Sequence, residues 1–308
     1  MNRTLILGTR GSRLALWQAH HVRDALTAKV PGVQIELRII KTTGDRVTDR
    51  PLSQVGGTGV FVKEIEEALR RREIDFAVHS MKDLPTATPA GLVIAAVSER
   101  EQPYDALVTA DGKQLEGLRE GARVGTSSPR RVAQLKAKRR DIATAELRGN
   151  VDTRVKKLLA GEYDAIVLAE AGLKRLGIEG VKPVRLAPEV MLPCAGQGAL
   201  GIETREDDSD CRAIVAVLEN AKGRREVDAE RALLAALGGG CSAPIGTLAR
   251  EVDGRLTLAG AVGDPEGTKL VRADSSGGSA EGLRMARELA ERLLSMGAAE
   301  LIRTVKKL

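Results

Sequence analysis

Residues 4–42 read TLILGTRGSRLALWQAHHVRDALTAKVPGVQIELRIIKT. The opening run, Thr4–Thr9, is apolar and bounded by Arg10-Gly11-Ser12, so it reads as a strand. Residues 14–29 read as a helix, because Ala15, Ala19, Val22 and Leu26 are spaced as one helical face. Residues 34–42 return to strand character. Strand, helix and strand in succession are the building unit of α/β folds.

The alternation continues outward. Residues 43–59 are polar and Gly-rich, a long loop of the kind that often carries function. Residues 61–72 read as a helix and Phe76–Ser80 as a buried strand. A second unit follows, with strands at Arg123–Gly125, 142–147 and 164–169 and helices at 130–138 and 151–160. From about residue 217 the pattern changes. A helix at 227–237 ends in Gly238-Gly239-Gly240. Strands Ile245–Val252 and 255–262 flank an Asp253-Gly254 hairpin signal. Gly277-Gly278-Ser279 reads as a loop, and a final helix has Leu283, Ala286, Ala290 and Leu293 on one face. This last region reads as a small α+β domain.

With 308 residues the chain has room for two domains, or three small ones. It is 43% hydrophobic and 29% charged, which argues against disorder. Aromatic residues are only 2%: Trp17, Phe61, Phe76, Tyr104 and Tyr163. The core must be aliphatic, and a site built on stacked rings is nearly excluded. Cys194, Cys211 and Cys241 form neither a disulfide framework nor a CxxC pair, which points to a reducing compartment and to no metal cluster. The longest apolar run, residues 90–97, is far short of a membrane span. The expectation is a cytoplasmic protein that does not enter the membrane.

Charge becomes informative once it is placed. The whole chain carries +6. Residues 121–160 alone hold eleven basic and three acidic residues, a local +8. Such a window implies an anionic partner or else a solvated helix face. Three places within the α/β units share one design, in which a strand ends, a polar cap appears and a helix starts beside arginine. They are Thr9-Arg10-Gly11-Ser12, Gly125-Thr126-Ser127-Ser128-Pro129-Arg130-Arg131, and Leu147-Arg148-Gly149-Asn150 with Arg154 one turn on. Ser128 reads as an N-cap and Pro129 as the first helical residue. Helix starts bind carboxylate or phosphate, and arginine offers those oxygens a fork. Most such caps merely cap, but three together suit a ligand with several carboxylates. Asp83, in His79-Ser80-Met81-Lys82-Asp83-Leu84-Pro85, follows a strand, and Lys82 beside it favours the charged carboxylate. It reads either as a reactive carboxylate or as a turn residue. Cys241, after three glycines, reads as a reachable thiol or as a small turn residue.

The strings TRGSRLALWQAH (9–20), FVKEIEEAL (61–69), AVHSMKDLPT (77–86), VGTSSPRR (124–131), LRGNVDTR (147–154), YDAIVLAEAGLKRLG (163–177), GQGALGIE (196–203) and GGGCSAPIG (238–246) resemble the porphobilinogen deaminase, or hydroxymethylbilane synthase, family. The resemblance covers nearly the whole chain. It implies an α/β fold of two domains like type II periplasmic-binding proteins, joined by a double crossover, and a small α+β C-terminal domain. The expected division is 1–98 with 199–216, 99–198, and 217–308, with the GQGALGIE strand bringing the chain back. The family joins four porphobilinogen molecules head to tail, releases ammonia at each step, and frees hydroxymethylbilane with water. Its primer is a dipyrromethane cofactor held as a thioether.

By motif, the resemblance places that attachment at Cys241 and the catalytic carboxylate at Asp83. Lys82, Ser128, Arg130, Arg131 and Arg148 match cofactor-binding positions. Arg10, Ser12, Arg148, Arg154 and Arg175 match substrate-binding ones. It implies no metal, a monomer, and porphobilinogen with its oligopyrroles as partners. Each pyrrole carries an acetate and a propionate, which accounts for the basic window. Two departures stand in the 43–59 loop, where Gln54 and Thr58 replace lysines common in relatives. Pro129 replaces a common leucine and is compatible with a helix start. Two other readings compete. One is a non-catalytic, two-lobed polyanion-binding protein, against which the Cys241 loop argues. The other is nucleic-acid binding, against which the lack of aromatic residues in the basic window argues.

Overall fold

In the computed structural model, residues 4–46, 59, 62–240 and 243–306 are described. The first stretch runs β1 (Thr4–Thr9), α1 (Arg13–Lys29), β2 (Gln34–Ile39), α2 (Thr43–Arg46), α3 (Lys63–Arg70), β3 (Phe76–Ser80) and β4 (Leu92–Val97). The second runs β5 (Asp105–Thr109), β6 (Arg123–Gly125), α4 (Pro129–Lys138), β7 (Ala143–Ala145), α5 (Val151–Leu159), β8 (Ala165–Ala169), α6 (Glu170–Leu176) and β9 (Lys182–Arg185). Then come β10 (Leu200–Arg205), α7 (Ser209–Val215), α8 (Ala221–Ala236), β11 (Ile245–Val252), β12 (Arg255–Gly263), β13 (Leu270–Gly278), α9 (Gly282–Ser295) and α10 (Ala298–Lys306).

The chain divides into two compact units, residues 1–101 with 199–224, and residues 102–198 with 225–308. The sheet of the first unit has the order β2-β1-β3-β10-β4. β1 is parallel to β2 and β3, whereas β10 is antiparallel to β3 and β4. An apolar set including Leu5, Leu7, Val22, Leu26, Phe76 and Ile202 fills one side of this sheet. Burial of each large aliphatic chain contributes about 1.5–3 kcal/mol, so an aromatic-poor core suffices.

The second unit holds two sheets. One has the order β7-β6-β8-β5-β9, with β5 antiparallel to β8 and β9. Its plan repeats that of the first unit: three parallel strands, then one reversed strand, then an edge. In each sheet the reversed strand lies beside a crossover segment, the arrangement expected of type II periplasmic-binding folds. The other sheet, β11-β12-β13, is a meander on which α9 and α10 pack. Its first turn has left-handed φ at Asp253 (49°) and Gly254 (73°), the conformation two-residue hairpins require.

Several sequence expectations need correction. The residues Gly277-Gly278 do not form a loop but end β13, paired with Leu256 and Arg255. A Cβ at Gly277 would meet the Glu281 carboxylate at 2.7 Å, so the glycine lets the chain turn closely into α9. Leu283 is 53% exposed, and the buried face of α9 is Met285, Ala286, Leu289, Ala290 and Leu293. Residues 40–42 lie beyond β2. The helix expected at 227–237 begins at Ala221, and the one expected at 61–72 spans Lys63–Arg70. β4, β5, β9 and β13 are strands beyond those the sequence pattern predicts. Residues 43–46 of the expected long loop are helical, and Gln54 and Thr58 lie outside the described residues.

Candidate active site

In the first unit, β3 ends in a single 3-10 turn, Met81–Asp83. Met81 anchors it: the side chain is 2% exposed and its N–H donates to the Ala199 carbonyl at 3.1 Å. Gly201, opposite His79 on β10, makes room for that anchor, because a Cβ there would collide with the Met81 sulfur. One residue earlier, Gln18 on α1 donates to Ser80 Oγ at 2.9 Å. The turn is therefore fixed from both sides, and it presents Asp83 at the surface. The Asp83 carboxylate has no hydrogen-bond or ion-pair partner among the described residues. Lys82, its neighbour in sequence, forms no ion pair with it, because consecutive residues of a 3-10 turn point about 120° apart. Lys82 is half-buried and interacts with other groups.

Beneath this turn His79 Nε2 meets Glu203 Oε2 at 3.1 Å, both buried. Burial, and then the charge of Glu203, push the nearby Glu66 carboxyl above its ordinary range; Arg70 and His79 oppose this. At the start of α1, Ser12 is the N-cap, and its hydroxyl accepts the Ala15 N–H at 3.3 Å. Arg10 beside it is half-buried.

In the second unit the helix starts are built as expected, but their arginines are not alike. Ser127 Oγ donates to the Leu147 carbonyl at 2.8 Å and accepts its N–H at 3.0 Å, which ties the loop after β6 to the one before α5. Ser128 holds the N-cap position of α4 and Pro129 the first helical position, but the Ser128 hydroxyl makes no cap bond. Asn150 does cap α5, accepting the Thr153 N–H at 3.0 Å. Arg130 and Arg131, expected at a ligand surface, are 4% and 7% exposed. Arg130 Nη1 donates to Asp105 at 2.6 Å and to the Leu192 carbonyl at 2.7 Å. Arg131 Nη2 donates to Asp105 at 2.6 Å and its Nη1 to the Val167 carbonyl at 2.8 Å. Burial alone would raise the Asp105 carboxyl; the two guanidiniums outweigh it and hold it well below the carboxylate range.

The basic window is thus not one uniform cationic face. Arg139 is forked on Asp141. Arg148 pairs with Glu146 at 2.8 Å, and Arg154 donates to the Gly149 carbonyl at 2.7 Å. Arg175 donates to the Gly198 carbonyl at 2.6 Å. Cys241 lies outside the described residues. On its two sides, Gly238 closes α8 with φ 65°, and Ala243 N–H donates to the Gly240 carbonyl at 2.9 Å. The three glycines do not simply loosen the chain, since Gly239 sits hard against Ile245 and Leu234. Of the other cysteines, Cys211 is buried in α7 and Cys194 is half-buried.

Two family models match the chain: "Porphobilinogen deaminase, dipyromethane cofactor binding domain" over residues 5–213 and "Porphobilinogen deaminase, C-terminal domain" over residues 224–295. The chain belongs to the porphobilinogen deaminase family. The porphobilinogen deaminase of Syntrophobacter fumaroxidans is 47% identical over 99% of this chain and 98% of its own length. That of Desulforudis audaxviator is 49% identical over 99% of each. Among solved structures, the probable amino-acid ABC transporter extracellular-binding protein ytmK of Bacillus subtilis is similar over 71% of this chain and 90% of its own, with 10% identity and a TM-score of 0.42.

Porphobilinogen deaminases are transferases of tetrapyrrole synthesis that take porphobilinogen as substrate and use a dipyrromethane cofactor. One observation tests whether the residues of the second unit fit such a carboxylate-bearing group. Nε of Arg131 is buried with no acceptor. An unmet buried donor is costly, and a ligand carboxylate would satisfy it. The residues fit. No helix of the described residues is long and apolar enough to cross a membrane.

Sequence reasoning missed Asp105, Gln197, and the His79–Glu203 pair. Gln197 was visible within GQGALGIE but read only as the start of a strand. Asp105 carries no local signal, since a buried acid looks like any polar residue ahead of an apolar run.

Proposed function

We propose that the chain joins four porphobilinogen molecules head to tail and releases hydroxymethylbilane, with Asp83 as its catalytic carboxylate and Cys241 as the point of cofactor attachment. The observation that carries this reading is an exposed, unpartnered carboxylate on a turn braced by Met81, Gly201 and Gln18, at the position the family motif assigns to the reacting acid. When bound, the dipyrromethane supplies the nucleophilic pyrrole carbon on which the product grows. The chain's own residues do the rest. Asp83 stabilises the cation left when porphobilinogen loses ammonia and exchanges protons with the reacting pyrroles. Lys82, Ser128, Arg130, Arg131 and Arg148 bind cofactor carboxylates; Arg10, Ser12, Arg148, Arg154 and Arg175 bind those of the substrate. The Ser128 hydroxyl, not engaged in capping, and the unmet Arg131 Nε suit that role.

Three domains, 1–98 with 199–216, 99–198 and 217–308, divide this work. The enzyme acts as a cytoplasmic monomer without nucleic acid. Of the three cysteines, Cys211 is fully buried, so it is a poor site for attachment. Free thiols have a pKa of about 8.5, which neighbouring cations lower.

Intact-mass measurement tests the reading. The purified chain is expected to exceed its 32.8 kDa by two linked pyrrole units, with peptide mapping placing the adduct on the peptide containing Cys241. Cys241→Ala is expected to lack both adduct and turnover. An active enzyme of bare mass, or an adduct on Cys194, overturns the assignment.

A further inference from the structure

Asp105 is the first residue of β5, just inside the boundary at which the chain enters the second unit. Gln197 stands just before the boundary at which the chain leaves it. Their side chains meet. Gln197 Nε2 donates to Asp105 Oδ1 at 3.1 Å and to the Pro103 carbonyl at 2.7 Å. Asp105 is 0% exposed and Gln197 1%. One buried carboxylate thus gathers the entering segment, the leaving segment and the first turn of α4, where Arg130 and Arg131 stand.

The way the guanidiniums are used is selective. Arg130 commits Nη1 alone, to Asp105 and the Leu192 carbonyl. Its Nε and Nη2, the edge that grips a carboxylate side-on, have no acceptor among the described residues. Arg131 commits both Nη groups and leaves Nε unmet. Gln134, on the same helix, accepts the Leu192 N–H at 2.8 Å and donates to the Leu192 carbonyl at 3.0 Å, which holds Arg130's second acceptor in place.

We propose that Asp105, held by Gln197, is a positioning residue that fixes which guanidinium edges Arg130 and Arg131 offer to a ligand carboxylate. An internal carboxylate occupies the end of each fork, and the remaining N–H groups are oriented before any ligand arrives. Preorganised donors bind better because less motion is lost on binding. This proposal rests on the activity reading above.

The test compares Asp105→Asn and Gln197→Met with the wild-type enzyme. Gln197→Met keeps the volume and both arginine pairs but releases Asp105 from the leaving segment. It is expected to keep kcat per adduct-bearing molecule within about twofold, while the fraction of chains bearing the adduct falls about fivefold or more. Asp105→Asn is expected to lower the adduct-bearing fraction about tenfold; if it does not fold, Gln197→Met decides alone. An unchanged adduct-bearing fraction in Gln197→Met, whatever its melting temperature, overturns the proposal and leaves Asp105 with stabilisation only.

A second readout needs no turnover. In a Cys241→Ala background, succinate is expected to raise the melting temperature above a chloride control of equal ionic strength, and to do so less when Gln197→Met is added. Equal shifts overturn the proposal. A wild-type chain that consumes no porphobilinogen overturns instead the activity reading, and the succinate comparison still judges the positioning role.

Discussion

A carboxylate is easily kept charged at a protein surface, and what distinguishes Asp83 is how firmly its backbone is held there. Met81 is buried on one side of the turn and Ser80 is bonded to Gln18 on the other. A cation formed about 4 Å from such a carboxylate gains roughly 4 kcal/mol at an effective dielectric of 20. General acid–base work adds a typical factor of about 10²–10⁴. Asp83→Asn keeps the shape and removes the charge. Because the side chain is exposed and unpartnered, its melting temperature is expected to match wild type. Single-turnover ammonia release from adduct-bearing Asp83→Asn is expected to fall at least about a hundredfold, with Asp83→Glu retaining part of the rate. Release within a few-fold of wild type would remove Asp83 from the chemistry. Arg130 and Arg131 teach the reverse lesson at this scale. Of their two charges, obvious in the sequence, one is answered inside the protein by Asp105.

At the scale of elements, the return strand β10 is what shapes the Asp83 turn. Gly201→Ala puts a methyl into the Met81 sulfur. Overpacking of this kind costs about 1–3 kcal/mol. Turnover is expected to drop further than that stability loss explains, because the displaced residue begins the turn that carries Asp83. Adding Met81→Ala to Gly201→Ala is expected to relieve the clash, and urea unfolding of the single and double variants measures the coupling. Additive effects would show that the two residues do not compete for space.

Elements bounded by clear breakers were legible from sequence, as Thr4–Thr9 and Arg123–Gly125 were, because strand character and punctuation agree there. Leu270–Gly278 was not, since an edge strand ending in serines and glycines has neither alternation nor an apolar run. The helix-start design was legible at Ser12, Ser128 and Asn150. The partners of the arginines were not, because Asp105 and Gln197 are joined through pairings across 92 residues of chain. No spacing rule reaches that far.

Across the whole molecule, the first unit is assembled from two distant stretches of chain. β10 lies between β3 and β4 and hydrogen-bonds to both. A nascent chain that has reached residue 101 therefore holds β3 and β4 with unpaired edges and an unfinished core. About 100 further residues must be made before Leu200–Arg205 can close that sheet, on the order of 5–20 s at usual elongation rates. The segment from 102 to 198, by contrast, carries all five strands of its own sheet and can pair them as it emerges. The sheet on which α4 and its arginines are carried can thus be complete before the sheet that presents Asp83. Open strand edges recruit other chains. A fragment ending at residue 101 is accordingly expected to aggregate when expressed alone, and a circular permutant that begins at residue 199 is expected to be less dependent on chaperones during synthesis. Soluble, cooperatively unfolding fragment 1–101 in urea titration would show that β3 and β4 pair adequately without the late strand.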